Sequence, residues 1–179
     1  MITCAMCDDE LPFAEQLRSL VMAYAKKKRV ELQAETFASA EELLEEIENG
    51  AGFEILFLDI EMRKMDGIEL GKKLRERSYQ TLIIYVSGYD QYMRQLFEAE
   101  PFRFLSKPLK QEELENVLDK AFERISRFHR ELFTIRFGKN VVNLLCRDIV
   151  YLESNKRKVI VHRLNLFIWE RKRVAVLAR

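Results

Sequence analysis

The chain has 179 residues, with 33% charged, 48% hydrophobic, and 30 Lys+Arg against 29 Asp+Glu. That composition excludes a disordered, collagen-like or strongly polyionic chain, and the length predicts one full domain plus a small or partial second one. No apolar run approaches the ~20 residues of a membrane-spanning helix, and MITCAMCDDE lacks the layout of a signal peptide, so a cytoplasmic protein without a membrane partner is expected.

Near-neutrality hides an asymmetry. Residues 1–128 carry 18 Lys+Arg against 25 Asp+Glu, and residues 129–179 carry 12 against 4. The shift predicts two units, 1–128 and 129–179, with different partners. The basic unit could face nucleic acid or dock on the acidic one.

Ile2–Cys7 is a short apolar run that predicts a buried strand. Cys4 and Cys7 form a CxxC, but positions i and i+3 of a strand face opposite ways, which argues against a shared metal or redox site. A helix follows from Leu11, with Pro12 in its first turn, apolar residues at Leu17, Leu20, Val21 and Tyr24, and the Lys26–Arg29 run as a solvated end. Val30–Phe37 alternates like a strand. Ser39-x-x-Glu42 is a capping box, and Gly50 suits the end of its helix. Phe53–Ile60 and Thr81–Val86 are nearly continuous apolar runs, as strands covered on both faces require. Gly67–Arg77 and Asp90–Ala99 read as helices, Phe102–Leu105 as a short strand, and Gln111–Phe128 as a long amphipathic helix.

This is βα repeated five times, which implies a doubly wound parallel sheet with helices on both faces. Ligands in such sheets sit at the carboxyl ends of the strands. Asp8-Asp9 with Glu10, Asp59, Ser87-Gly88 and Ser106-Lys107-Pro108 all fall there. Three crowded carboxylates repel one another, and a hard divalent cation such as Mg²⁺ resolves the conflict. With Asp8 and Asp9 on the metal, Lys107 and Ser87 on phosphoryl oxygens and Asp59 as nucleophile, the set suits phosphoryl transfer to Asp59. The bland alternative, strand-end Asp residues that merely cap helices, fits any one of them better than all four segments together.

Residues 1–128 resemble the receiver domain of bacterial two-component response regulators. The resemblance lies in Cys7-Asp8-Asp9-Glu10, Leu58-Asp59-Ile60-Glu61-Met62, Met65-Asp66-Gly67-Ile68-Glu69-Leu70, Val86-Ser87-Gly88-Tyr89-Asp90 and Phe104-Leu105-Ser106-Lys107-Pro108. It implies a flavodoxin-like five-stranded fold and a phosphoryl group accepted on Asp59 from a sensor histidine kinase. It also implies Mg²⁺ held directly by Asp9 and Asp59, through water by Asp8, and by the backbone carbonyl of Glu61. Ser87 and Phe104 are then the switch pair, and Lys107–Pro108 matches a cis bond. Such a protein is not an enzyme beyond Mg²⁺-dependent phosphorylation and dephosphorylation of itself. Arg63 is a departure, standing where many receivers have proline.

After residue 130 the pattern becomes short strands at Leu132–Phe137, Val141–Leu145, Ile149–Glu153 and Val159–His162, with turns at Gly138–Asn140 and Asn155–Arg157, implying antiparallel pairing. Phe133–Phe137, Gly138-Lys139 and Asp148–Ser154 resemble the opening strands of the LytTR DNA-binding domain. That resemblance implies a transcription regulator with Lys156, Arg157 and Lys158 as phosphate contacts on DNA. It stops near Leu164, so a truncated domain is expected, and Asn165–Arg179 fits no pattern of that family. The incomplete β unit invites pairing with a second copy, giving a homodimer. A second reading makes the chain a stand-alone receiver whose tail dimerises without binding DNA. Signalling would reshape the face formed by the 90–99 helix, the fifth strand and the last helix, with Tyr92, Phe97, Phe102 and Arg103 as candidates. A haloacid dehalogenase-type phosphatase is disfavoured, because the positions where it needs Asp and Thr hold Glu61 and Arg63. His129 and His162 are expected to pack or face solvent.

Overall fold

The computed structural model describes residues 1–76, 81–88, 100–130, 132–137, 140–146, 149–155, 158–163 and 173–177. The expected helix at 90–99, with Tyr92 and Phe97, lies outside them, as do Lys156 and Arg157 and the side chain of Lys158. The chain divides into two compact units, Met1–Phe122 and Glu123–Arg179.

The first unit is built on β1 (Ile2–Cys7), β2 (Leu32–Phe37), β3 (Ile55–Asp59), β4 (Leu82–Ser87) and β5 (Arg103–Ser106). They form one parallel sheet in the order β2-β1-β3-β4-β5. Every residue of β3 and β4 is buried, as their apolar sequences ILFLD and LIIYVS require. The edge strands differ: β2 alternates exposed and half-buried positions, and β5 has only four residues.

Helices α1 (Leu11–Lys27), α2 (Ala40–Glu48), α3 (Gly67–Glu76) and α4 (Gln111–Arg130) join and follow the strands. Ala14, Leu17, Val21 and Tyr24 make the buried stripe of α1. The capping box forms at α2: Ser39 Oγ accepts the Glu42 N–H at 3.2 Å, and the Glu42 carboxylate reaches back to the N–H of Ala38 at 3.1 Å. Asn49 is the last capping residue, and Gly50 follows at φ +103, a left-handed conformation that glycine adopts freely. The Lys26–Arg29 run is exposed along its length, as expected of a solvated helix end. Lys27 pairs with Glu115 at 3.1 Å and Lys28 with Asp119 at 2.8 Å, tying the end of α1 to α4.

In the second unit, β6 (Leu132–Phe137) and β7 (Asn140–Leu145) form an antiparallel pair. β8 (Ile149–Asn155), β9 (Lys158–Arg163) and β10 (Arg173–Leu177) form an antiparallel sheet in the order β10-β9-β8. β10 lies within Asn165–Arg179, the stretch that fits no pattern of the LytTR family. His162 is buried, stacks on Tyr151 with ring centroids 4.0 Å apart, and meets the Glu153 carboxylate through Nε2 at 2.8 Å. That is the packing role expected of it.

Candidate functional site: an acidic rim on the parallel sheet

β1 has β2 on one side and β3 on the other, so the chain changes winding direction between β1 and β3. Open parallel sheets bind ligands at such a switch point, outside the carboxyl ends of the strands. The register opposes Cys7 to Leu58, so Asp8 and Asp59 leave adjacent strands at the same level. Carboxylate oxygens of Asp8, Asp9 and Asp59 all lie within 4.8 Å of one another. Asp8 and Asp59 are buried, and Asp9 faces outward.

Lys107 arrives from the end of β5. Its Nζ donates to Asp8 Oδ2 at 2.8 Å and lies 3.3 Å from Asp59 Oδ1. The Lys107–Pro108 bond is cis. The Lys107 N–H donates to the Ser87 carbonyl at 2.8 Å, joining the ends of β4 and β5, with Ser87 itself buried. Phe104 is half-buried against the core between β3 and α3, and Glu61 is exposed on the loop after β3. Asp8, Asp9, Asp59 and Lys107 therefore come together, and Ser87 is tied to Lys107 through its backbone carbonyl. Capping does not explain the acidic set: Asp8 Oδ1 accepts the Glu10 N–H at 2.9 Å, but the first turn of α1 has no side-chain cap.

Burial pushes the Asp59 carboxyl up from 3.8 to about 6, and the neighbouring Asp8 charge adds to it. Lys107 and the backbone N–H of Ile60 pull the other way without prevailing. For Lys107, burial works against its charge, but the hydrogen bond to Asp8 and the charges of Asp59 and Asp8 outweigh burial and raise its pKa. The buried carboxylates of Asp8 and Asp59 thus share a single ammonium. Three hard oxygen donors that a single ion could span fit Mg²⁺, which takes few protein ligands and keeps several waters.

Three contacts were not foreseen from the sequence. The Phe13 ring lies beneath the Lys107 ammonium, 4.3 Å from centroid to Nζ. Arg63 Nε lies 3.8 Å from Asp9 Oδ2. Gly67 begins α3 against the backbone of the nucleophile candidate, where a Cβ would fall 2.0 Å from the Asp59 carbonyl oxygen. The glycine carries a sequence signal, as the Asp-Gly pair opening a helix, and Arg63 carries one as the departure from proline; Phe13 carries none. Cys4 and Cys7 are both buried and free on β1, and burial pushes both thiols up, so they are inert core residues.

Three carboxylates and an ammonium gathered outside the carboxyl ends of a five-stranded parallel sheet define an α/β protein of the doubly wound class. Residues 5–119 match the response regulator receiver domain, and the chain belongs to that family. Receiver domains bind Mg²⁺ at an acidic pocket, and the three aspartates form such a cluster here.

Among relatives, the chain is 22% identical over 160 residues to the sensory transduction protein LytT of Bacillus subtilis, an alignment spanning 84% of this chain and 64% of LytT. It is 32% identical over 149 residues to an uncharacterized response regulatory protein of Yersinia pestis, spanning 83% and 57%. Overall it spans about half to two thirds of the length of the curated relatives it matches. Among solved structures, the receiver domain of AraT from Geobacillus stearothermophilus superposes with TM-score 0.60 at 27% identity, covering 70% of this chain and 96% of that one. The response regulatory domain of mrkE from Klebsiella pneumoniae gives TM-score 0.64 at 18% identity, over 70% and 99%, and shares the fold. Among the described residues no helix is long and apolar enough to cross a membrane.

Proposed function

We propose that this chain is a phosphorylation-controlled cytoplasmic response regulator that accepts a phosphoryl group on Asp59 from a sensor histidine kinase. The observation that carries the reading is the convergence of Asp8, Asp9, Asp59 and Lys107 at one switch point. Asp59 attacks phosphorus through a carboxylate oxygen as the bond to the kinase histidine nitrogen breaks, leaving an aspartyl phosphate and a free imidazole. Lys107, held by Asp8 and Asp59, sits where it meets the incoming phosphoryl oxygens. Asp9 and Asp59, Asp8 through water, and the Glu61 carbonyl would hold Mg²⁺. When bound, the ion neutralises charge developing on the phosphoryl group.

Ser87 ends β4 beside this group and serves as the switch hydroxyl, with Phe104 as its aromatic partner two strands from Asp59. Their movement biases a two-state equilibrium toward a homodimer. The chain turns over no other substrate. Its second unit, with the β-rich pattern that resembles LytTR domains, is the output, and similarity to the transcriptional regulatory protein LytR of Staphylococcus aureus favours a regulator of transcription. Lys156, Arg157 and Lys158 are its DNA contacts in this reading. The alternative, a tail that dimerises without binding DNA, is favoured by exposed apolar residues on β8: Val150, Tyr151 and Leu152.

The test is incubation with Mg²⁺ and a small phosphodonor, followed by intact mass. Wild type gains one phosphoryl group, and Asp59→Asn gains none. Equal labelling of both overturns the assignment. Salt-dependent DNA binding separates the two outputs, and oligomer size with and without beryllofluoride tests dimerisation.

A further inference from the structure

Each of the three rim carboxylates has a cationic partner. Lys107 serves Asp8 and Asp59, and Arg63 serves Asp9. The two cations are held very differently. Lys107 has a 21% exposed side chain, two carboxylate contacts at 2.8 and 3.3 Å and an aromatic ring beneath it. Arg63 has a 94% exposed side chain and touches Asp9 at 3.8 Å, longer than a hydrogen bond. It rides on the loop between β3 and α3, where Lys64 takes φ +66 and turns the chain immediately after it. A cation entering the rim meets Lys107 as a fixed neighbour and Arg63 as one that can swing away.

We propose that Arg63 is an exchangeable counter-ion of Asp9, which a divalent cation must displace, so that this loop residue sets the metal affinity of the pocket. The inference rests on the reading of the rim as a divalent-cation site. The chemistry is competition: guanidinium and metal ion both claim the Asp9 carboxylate, and each positive charge there repels the other. Because Arg63 is so exposed, the effect is screened by salt.

The experiment is calorimetric titration of Mg²⁺ into the chelator-treated 179-residue chain at low salt, for wild type, Arg63→Ala and Arg63→Lys. Arg63→Ala binds Mg²⁺ about three- to tenfold more tightly than wild type, as loss of one screened repulsion predicts, and Arg63→Lys, which keeps the charge, stays near wild type. The gain shrinks at high salt and vanishes when Asp9→Asn is added, because the residue competed for is then gone. Equal Mg²⁺ affinity in wild type and Arg63→Ala overturns the inference and leaves the site reading standing. A wild-type chain that binds no Mg²⁺ overturns both.

Discussion

Replacing Asp59 by Asn should stabilise the metal-free protein, with an advantage that depends on pH in a defined way. Burial and the Asp8 charge push the Asp59 carboxyl from 3.8 to about 6. Between those values the folded state binds more protons than the unfolded state, so wild-type stability falls as pH rises through that window. The penalty is absent below the ordinary carboxylate pKa and complete above about 6. A shift of about two pH units at 1.36 kcal/mol each sets a ceiling of about 3 kcal/mol. Water and salt reach the rim through exposed Asp9, so about 1–2 kcal/mol is the expected size. Asn keeps the shape and never ionises. The assay is urea unfolding by far-UV circular dichroism in chelator, across about pH 3.5 to 7.5. The difference between variant and wild type should be near zero at the acid end, grow through the window and then level off. A difference that is flat with pH, or that shrinks as pH rises, would refute the account of Asp59 as a carboxylate strained by burial and its neighbour.

Other outcomes follow from the same geometry. Mg²⁺ must displace the proton from Asp59, so its affinity should fall by about tenfold per pH unit below about 6 and stay flat above, as titration calorimetry would read. Lys107→Met leaves Asp8 and Asp59 facing each other unpaired, and should cost about 2–4 kcal/mol at neutral pH in chelator, much of it recovered on adding Mg²⁺. Gly67→Ala sets a methyl against the Asp59 carbonyl, with no flexible side chain to yield, so it should cost about 2–4 kcal/mol and slow labelling of Asp59 by a small phosphodonor. Ser39→Ala removes the acceptor for the Glu42 N–H and should cost about 1 kcal/mol in urea unfolding without touching that labelling.

Much of the receiver unit was written in local pattern. ILFLD and LIIYVS are apolar throughout because both faces of β3 and β4 are buried, and LQAETF alternates because β2 lies at the edge. The capping box before α2 and the stripe along α1 are likewise local, since each reflects the period of one element. Given parallel strands, the strand-end positions of Asp8, Asp9, Asp59, Ser87 and Lys107 already implied a shared rim. The pairing of Lys107 with Asp8 across 99 positions of chain, the displaced Asp59 carboxyl, the approach of Arg63 to Asp9 and the bare Cα of Gly67 beneath Asp59 were decided only by the fold. So was β10, whose RVAVL gains its partner only when β9 lies alongside. A repeating pattern reports which face of an element is buried, because burial recurs with the period of the backbone. Charge coupling and steric contact depend on distances between atoms remote in the chain, and those distances exist only once the elements have packed.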